Sequence, residues 1–285
     1  MTNTTKHIAL VCPGGPITRE LADKVVEIAA LQQGGHHGKN LQLHFHDQCF
    51  LTSGHFAGSD EARSAAFLEV ANDPKFDAVW FARGGYGASR LDDKLFAKLN
   101  EHARKKTYLG YSDAGVLLAR LYGKGIGCPT HGPMPTDISR SDGKGAITRA
   151  LDYLVNHDPG TLEPSAKLDK KTTAFNITVL SHMVGARWMP DLSDHIIMLE
   201  DIGEYLYRID RAMFTITDNP NIREAAGIML GRISDILEND RPFGQTEEEI
   251  VQYWCVRAGV PYLGRADIGH DSDNKIVPFG MTASL

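Results

Sequence analysis

The sequence has 285 residues, 42% of them hydrophobic and 23% charged, an ordinary composition for a globular protein. Its net charge of −6 carries no basic excess, which argues against a nucleic-acid partner. Four cysteines, Cys12, Cys49, Cys128 and Cys255, are scattered without C-x-x-C or metal-ligand spacing, as is typical of a reduced cytosolic protein with buried thiols. We therefore predict neither a metal site nor a cofactor.

The N-terminal segment contains an apolar run of about five residues, which is too short for a secretory signal. No stretch approaches the roughly 20 apolar residues of a membrane span. We expect a cytoplasmic protein without a membrane partner.

Short apolar runs alternate with helix-patterned segments in the first half of the chain. The pattern predicts strands at 7–12, 41–45, 76–82 and 107–110, and helices at 18–30, 60–70, 89–99, 114–122 and 146–156. This alternation is typical of a parallel sheet with helices on its faces. In such sheets the functional groups gather at the carboxyl ends of the strands.

The character of the chain changes after residue 156. A polar segment with two prolines and several lysines, 157–172, is predicted to be a linker. Beyond it the pattern predicts strands at 175–180, 196–200, 226–230, 262–263 and 275–278, and helices at 203–217 and 247–258. We therefore expect an α/β domain over 1–156 and a smaller α+β domain over 173–285.

A glycine-rich loop follows the third predicted strand. Residues 83–87, Arg83-Gly84-Gly85-Tyr86-Gly87, leave the strand through three glycines, so their amides can face a ligand. No Lys-Ser/Thr pair follows, which excludes a P-loop. A tight turn without a ligand is the alternative interpretation.

Ser112 stands where the fourth predicted strand gives way to a helix. The segment Gly110-Tyr111-Ser112-Asp113-Ala114 partly matches the G-x-S-x-G turn that exposes a nucleophilic serine, with alanine in the last place. The alternative is a serine that caps the following helix. The glycine loop favours the nucleophile, because it could donate a second amide to an oxyanion.

Five segments together resemble the L,D-carboxypeptidase family, the serine peptidases of bacterial cell-wall recycling also called muramoyltetrapeptide carboxypeptidases. They are ARGGYGASRL (82–91), GYSDAGVLL (110–118), THGPM (130–134), LEDIGEYLYRIDRAM (199–213) and GHDSDNKIVPFG (269–280). The resemblance implies a Ser-His-Glu triad at Ser112, His270 and Glu200. The family's Gly-Gly-Asn-Leu-like segment is altered here to AFNITVL (174–180), which leaves specificity open.

Local alternatives exist for two of the three triad positions. Glu200 could instead cap the helix that follows it, and Asp201 and Glu204 are nearby rivals for its role. His270 lies in a polar loop beside aspartates, where a solvated histidine is common. His131 is the rival base, and otherwise has a binding role.

The resemblance implies removal of the terminal D-alanine from a murein tetrapeptide through an acyl-enzyme. The amides of Asp113 and Gly85 are the expected oxyanion donors. Substrate contacts are expected from Arg83, Gly84, Tyr86 and His131, with Arg208 a second candidate for the terminal carboxylate.

Pattern and resemblance together predict a Rossmann- or flavodoxin-like N-terminal domain, a smaller α+β, β-barrel-like C-terminal domain, and a homodimer. Two other functions stay open. One is a microcin-immunity-type peptidase that hydrolyses an aminoacyl-nucleotide analogue, which needs an aromatic shelf that Trp80, Trp188 and Trp254 do not clearly supply. The other is a non-catalytic module that binds a small anion at the glycine loop.

Overall fold

Two sheets organise the chain, and a computed structural model describes residues 5–32, 41–167 and 169–281. Elements of the first part are β1 (Lys6–Val11), α1 (Arg19–Gln32), β2 (Leu41–Phe45), α2 (Asp60–Asn72), β3 (Ala78–Phe81), β4 (Thr107–Gly110), α3 (Gly115–Gly123), β5 (Cys128–His131) and α4 (Gly143–Asn156). Those of the second part are β6 (Lys171–Asn176), α5 (Ile177–Met183), β7 (His195–Ile202), α6 (Leu206–Asp218), α7 (Pro220–Arg223), β8 (Gly227–Ser234), α8 (Glu247–Ala258), β9 (Tyr262–Arg265) and β10 (Val277–Pro278).

The first sheet has the strand order β10-β5-β4-β3-β1-β2, and its strands pair in parallel except for β10 on β5. Successive residues of a strand point to opposite faces of the sheet. Ile8 and Leu10 pack in a core with α1 and α4, whereas Ala9 and Val11 pack in another core with α2 and α3. The predicted N-terminal α/β domain with a parallel sheet covered on both faces is confirmed.

The second sheet has the order β6-β7-β8-β9, and its three strand pairs are parallel in the described part of the chain. Helices connect these parallel strands, so this smaller domain is α/β and its sheet is open, where the pattern suggested an α+β, barrel-like domain. The reason is local. The segment 175–180, predicted as a strand, contains the end of β6 and the start of α5. The Asn176 side chain caps this helix by accepting a hydrogen bond from Val179 N at 2.9 Å.

Two details of the first half also differ from the pattern. The apolar spacing of Leu91, Leu95 and Leu99 fits a helix, but the Asp92 side chain accepts Lys94 N and the segment 88–98 forms short 3₁₀ turns instead. Strand β5 is four residues long and contains Pro129, so its sequence carries no strand signal. It nevertheless pairs with β4 and extends the sheet.

The C-terminal segment returns from the second sheet to the first. After β9, residues 266–276 run back to β10, where Val277 pairs with His131 of β5. A polar loop at 267–274 is thereby carried to the carboxyl edge of the first sheet. The domain limits proposed from the sequence, 1–156, 157–172 and 173–285, stay a prediction. Among the described helices, none is long and apolar enough to cross a membrane.

Candidate active site

Ser112 occupies a strained turn between β4 and α3. Its backbone φ is +58°, a left-handed conformation that costs a non-glycine residue about 1 kcal/mol or more. A Cβ at Gly110 would lie 3.0 Å from Phe81 Cβ, so a side chain would be tightly packed where the strand enters the turn. The turn lifts the half-buried Ser112 side chain off the sheet edge.

The glycine loop lies directly against this serine. A Cβ at Gly84 would be 3.2 Å from Ser112 Oγ and 3.3 Å from the amide nitrogen of Asp113. Gly85 has a φ of +86°, which favours glycine. Gly15 N donates to Gly84 O at 3.1 Å, so the loop after β1 supports the glycine loop from behind. The structure thus brings Ser112, Asp113, Gly84 and Gly85 together.

The Asp113 carboxylate ties the glycine loop to the serine turn. Its Oδ2 accepts the Ala88 amide at 2.9 Å. Burial raises the pKa of Asp113 to about 6, although the Ala88 and Gly87 amides and the Arg63 charge act in the opposite direction. Asp113 therefore has a structural side chain, while its backbone amide faces the loop.

A buried carboxylate–imidazole pair comes from the second domain. His270 Nδ1 donates to Glu200 Oε2 at 2.5 Å, with His270 7% exposed and Glu200 fully buried. Burial lowers the pKa of His270, but the charge and hydrogen bond of Glu200 outweigh it, so the pKa of the imidazole is raised. Glu200 Oε1 has no hydrogen-bond partner among the described residues.

Glu200 and its rival Asp201 are consecutive strand residues, so their side chains point to opposite faces of β7. The β7–β8 register shifts beside them, where the step from Leu199 to Asp201 faces the longer step from Leu230 to Ile233 in β8. Asp201 accepts Asn176 Nδ2 at 2.7 Å and the amide and hydroxyl of Thr178, both at 2.9 Å. Its neighbours are thus those of α5, and His270 is not among them.

Ion pairs and carbonyl contacts fix the loop that carries His270. Arg232 bonds Asp267 at 2.6 Å and Asp271 at 2.9 Å, on either side of the histidine. Arg149, from α4 of the first domain, donates to Ser272 O at 2.6 Å. The loop is therefore held by both domains.

Tyr111 joins the two halves of the site. Its ring centroid is 4.7 Å from that of His270 and 5.5 Å from that of His131, and its hydroxyl donates to Asp137 at 2.7 Å. Because Tyr111 directly precedes Ser112, this ring contact places the Glu200–His270 pair beside the serine turn.

His131, the rival base, has a different environment. It is 1% exposed, and its Nε2 lies 2.9 Å from Asn274 Oδ1, which also accepts Gly269 N at 3.2 Å. Burial lowers the pKa of His131, so the neutral ring donates to the amide oxygen. Sequence reasoning missed Tyr111 and Asn274, although both lie inside the segments that carry the resemblance.

The remaining candidates lie at the rim. Arg83 is exposed and donates to Pro16 O at 2.8 Å. Tyr86 is 52% exposed and packs beside the rings of His55 and Phe56. Arg208 lies on α6, in the other domain. Throughout the described ranges, no group of three or more His, Cys, Asp or Glu residues could hold a metal ion.

The arrangement suits nucleophilic catalysis. An accessible hydroxyl lies on a strained turn beside glycine amides, and an imidazole oriented by a buried carboxylate lies next to that turn. These are the parts that acyl transfer through a serine requires.

Comparison with known families supports this chemistry. A family model described as the LD-carboxypeptidase N-terminal domain matches residues 8–132, and one described as the LD-carboxypeptidase C-terminal domain matches 172–285. A Synechocystis sp. protein named "putative carboxypeptidase" is 31% identical, over 98% of this chain and 91% of its own. The murein tetrapeptide carboxypeptidase of Pseudomonas aeruginosa is 25% identical, over 98% and 92%.

Solved structures show the same fold. The muramoyltetrapeptide carboxypeptidase from Oxalobacter formigenes superposes with a TM-score of 0.77 at 25% identity, covering 96% of this chain and 93% of its own. The microcin C7 self-immunity protein in complex with aspartyl sulfamoyl adenosine gives a TM-score of 0.72 at 17% identity, covering 98% and 96%. At that identity the second likeness concerns the fold alone.

Proposed function

The chain belongs to the LD-carboxypeptidase family, and from that premise we propose that it removes the terminal D-alanine from a murein tetrapeptide. The observation that carries the proposal is the buried Glu200–His270 pair beside the strained Ser112 turn. The murein tetrapeptide carboxypeptidase among the relatives supports the choice of substrate.

Ser112, His270 and Glu200 have the roles of a catalytic triad in this proposal. His270 takes the proton of the Ser112 hydroxyl as the oxygen attacks the carbonyl before the terminal D-alanine. The C–N bond then breaks, His270 returns the proton to the leaving amine, and the peptide stays bound to Ser112 as an ester. Water, deprotonated by His270, hydrolyses the ester and restores the serine. Glu200 orients the ring and stabilises the imidazolium.

The amides of Asp113 and Gly85, with Gly84 as the alternative to Gly85, bind the oxyanion in this proposal. The space at Gly84 supports it, since a Cβ built there would lie 3.3 Å from Asp113 N and 3.2 Å from Ser112 Oγ. Arg83, Gly84 and Tyr86 lie on the same loop, where they would meet the substrate. His131 would affect substrate binding indirectly, because its bond to Asn274 holds the loop that carries His270.

A cytoplasmic role in peptidoglycan recycling and a homodimeric assembly belong to the same proposal. They follow from the family resemblance and from the scattered cysteines, which suit a reducing compartment.

A microcin-immunity-type activity on aminoacyl-nucleotide analogues is the second candidate. The indoles of Trp80 and Trp254 donate to Pro133 O and Asp210, and Trp188 packs against Arg120, so these rings have structural contacts. The observation that favours this candidate is the exposed Tyr86 ring, which belongs to the glycine loop and could stack a base.

Incubation with murein tetrapeptide followed by mass spectrometry tests the proposal. Loss of one alanine with the wild-type chain, and no loss with Ser112→Ala, is the expected result. An unchanged mass with the wild-type chain would contradict it. Comparing the rates of hydrolysis of murein tetrapeptide and of aspartyl sulfamoyl adenosine separates the two peptidase candidates. If Ser112→Ala kept full function, a non-catalytic anion-binding module would be the better description.

A further inference from the structure

A groove between α5 and α6 is lined by none of the three triad residues, although Arg208 is on its wall. It encloses about 560 Å³ and is lined by Thr178 and His182 on one side and by Glu204, Tyr207, Arg208 and Arg211 on the other. We call it the α5–α6 groove. Its walls are two helices of the second domain, and its floor is the polar surface between them.

The groove carries excess positive charge in a chain whose net charge is −6. Arg208 bonds Glu204 at 3.3 Å, which balances one charge. Arg211, three residues further along the same helix face, is exposed and has no carboxylate partner among the described residues. Its guanidinium lies 5.4 Å from the centroid of the Tyr207 ring, a contact that restricts its orientation. A guanidinium held in this way is suited to bind a carboxylate through two hydrogen bonds.

The groove borders the strand that carries Glu200 and the helix that packs on α3. Thr178 at its edge donates to Asp201, the residue after Glu200. A Cβ at Gly115, three residues after Ser112, would lie 3.9 Å from Val179 on the adjoining face of α5. Helix α5 has seven residues, about 10 Å, whereas an extended tetrapeptide spans about 13 Å. A tetrapeptide is therefore longer than the helix that separates the serine turn from the far end of the groove.

We propose that the α5–α6 groove is a carboxylate subsite, in which Arg211 binds a carboxylate that the peptide substrate carries away from its scissile bond. The inference rests on the proposed peptidase function and adds to it the substrate class, a peptide with free acidic side groups. Amidation of those groups removes the charge that Arg211 recognises.

Calorimetric binding to the Ser112→Ala chain tests the subsite without turnover. The probes are two synthetic murein tetrapeptides with free C-termini, one with its non-terminal carboxylates free and one with them amidated. We expect the acidic peptide to bind about tenfold more tightly, which is the effect of one charge-assisted hydrogen bond. Adding Arg211→Gln should abolish that tenfold preference.

Arg257→Gln is the matched control, because Arg257 is also an exposed guanidinium over an aromatic ring, that of Trp254, on another helix. It should keep the preference. An unchanged preference in the Arg211→Gln chain, equal binding of both peptides, or no binding of either would overturn the subsite. D-alanine release by the wild-type chain is measured separately. If D-alanine is released but the two peptides bind equally, the subsite alone is overturned. If the acidic peptide binds more tightly but no D-alanine is released, the proposed peptidase function alone is overturned.

Discussion

The side chains of Glu200 and His270 meet at 2.5 Å, although 70 positions separate them in the sequence. One comes from β7 of the second sheet and the other from a loop that returns to the first. Because both are buried, the carboxylate is the main partner of the ring, and it determines the protonation of that ring.

The pH dependence of activity should follow this pair. Burial lowers the pKa of His270 and Glu200 raises it more, so the net shift is upward. A general base must be neutral, so kcat/KM falls as the pH drops through this raised pKa. In Glu200→Gln, burial still lowers the pKa of His270, but the carboxylate charge that raises it is gone. The acid limb of the pH–rate profile should therefore move to lower pH, while kcat falls about 10⁴-fold.

Glu163→Gln is the control for that profile. Glu163 is also a buried carboxylate, and it accepts Asp267 N at 3.2 Å at the start of the same loop. Its loss should lower stability and leave the acid limb in place. An acid limb at the same pH in the Glu200→Gln and wild-type chains would show that Glu200 does not tune the base.

Substitution of Ser112 should separate catalysis from backbone strain. Both Ser112→Ala and Ser112→Gly remove the hydroxyl, and both should lower turnover at least 10³-fold. Because φ is +58°, glycine fits this position better than alanine. Urea unfolding should find Ser112→Gly more stable than Ser112→Ala by about 1 kcal/mol. Equal stability of the two would mean that the turn relaxes without strain.

Gly84 and Gly85 offer a matched pair for the oxyanion pocket. Gly84→Ala would place a methyl group 3.0 Å from Ser112 Cβ and 3.2 Å from Ser112 Oγ, so kcat should fall about 100-fold or more. A methyl group at Gly85 would meet nothing nearer than 3.6 Å, but alanine is strained at a φ of +86°. Gly85→Ala should therefore lower the free energy of unfolding by about 1 kcal/mol and reduce kcat less than Gly84→Ala does. Steady-state kinetics and thermal unfolding of both chains would measure this, and the reverse pattern would place the pocket elsewhere.

Asp113 should make stability depend on pH. Its pKa is raised to about 6 from 3.8, so the folded chain holds the proton more tightly than the unfolded one. Stability from this group is therefore present below about pH 4 and lost as the pH rises through about 6. Relative to the wild type, Asp113→Asn should gain about 2.4 kcal/mol between pH 4 and pH 7.5. Urea unfolding at the two pH values measures the gain, and a constant difference would refute it.

Asn274 should couple the two domains at the site. Asn274→Ala leaves the His131 Nε2–H and the Gly269 N–H buried without their acceptor, which costs about 2–4 kcal/mol. We expect kcat to fall and KM to change little, since the loop of His270 loosens. Urea unfolding and steady-state kinetics would measure both, with the exposed neighbour Asp273→Ala as the control. If the two variants behaved alike, the His131–Asn274 bond would be incidental.

Short sequence patterns were sufficient to predict those elements whose structure depends on neighbouring residues. Buried runs such as AVWF predict the central strands, and the change from apolar run to helical spacing at Ser112 predicts its turn. They failed at β5 and α5, because a four-residue strand with a proline and a seven-residue helix carry too little periodicity to be separated from their surroundings. Family resemblance, rather than pattern, nominated Glu200 and His270.

Residue patterns alone predict an α/β chain with a parallel first sheet, a glycine loop and a serine at strand ends, and a second domain. Which carboxylate meets which imidazole depends on how distant segments pack together. Glu200 and Asp201 are consecutive residues on opposite faces of β7, so one meets His270 and the other meets α5, and the pairing of β10 with β5 carries the His270 loop to the serine turn. Periodicity reports whether a side chain is buried, but the register of distant strands determines what it is buried against.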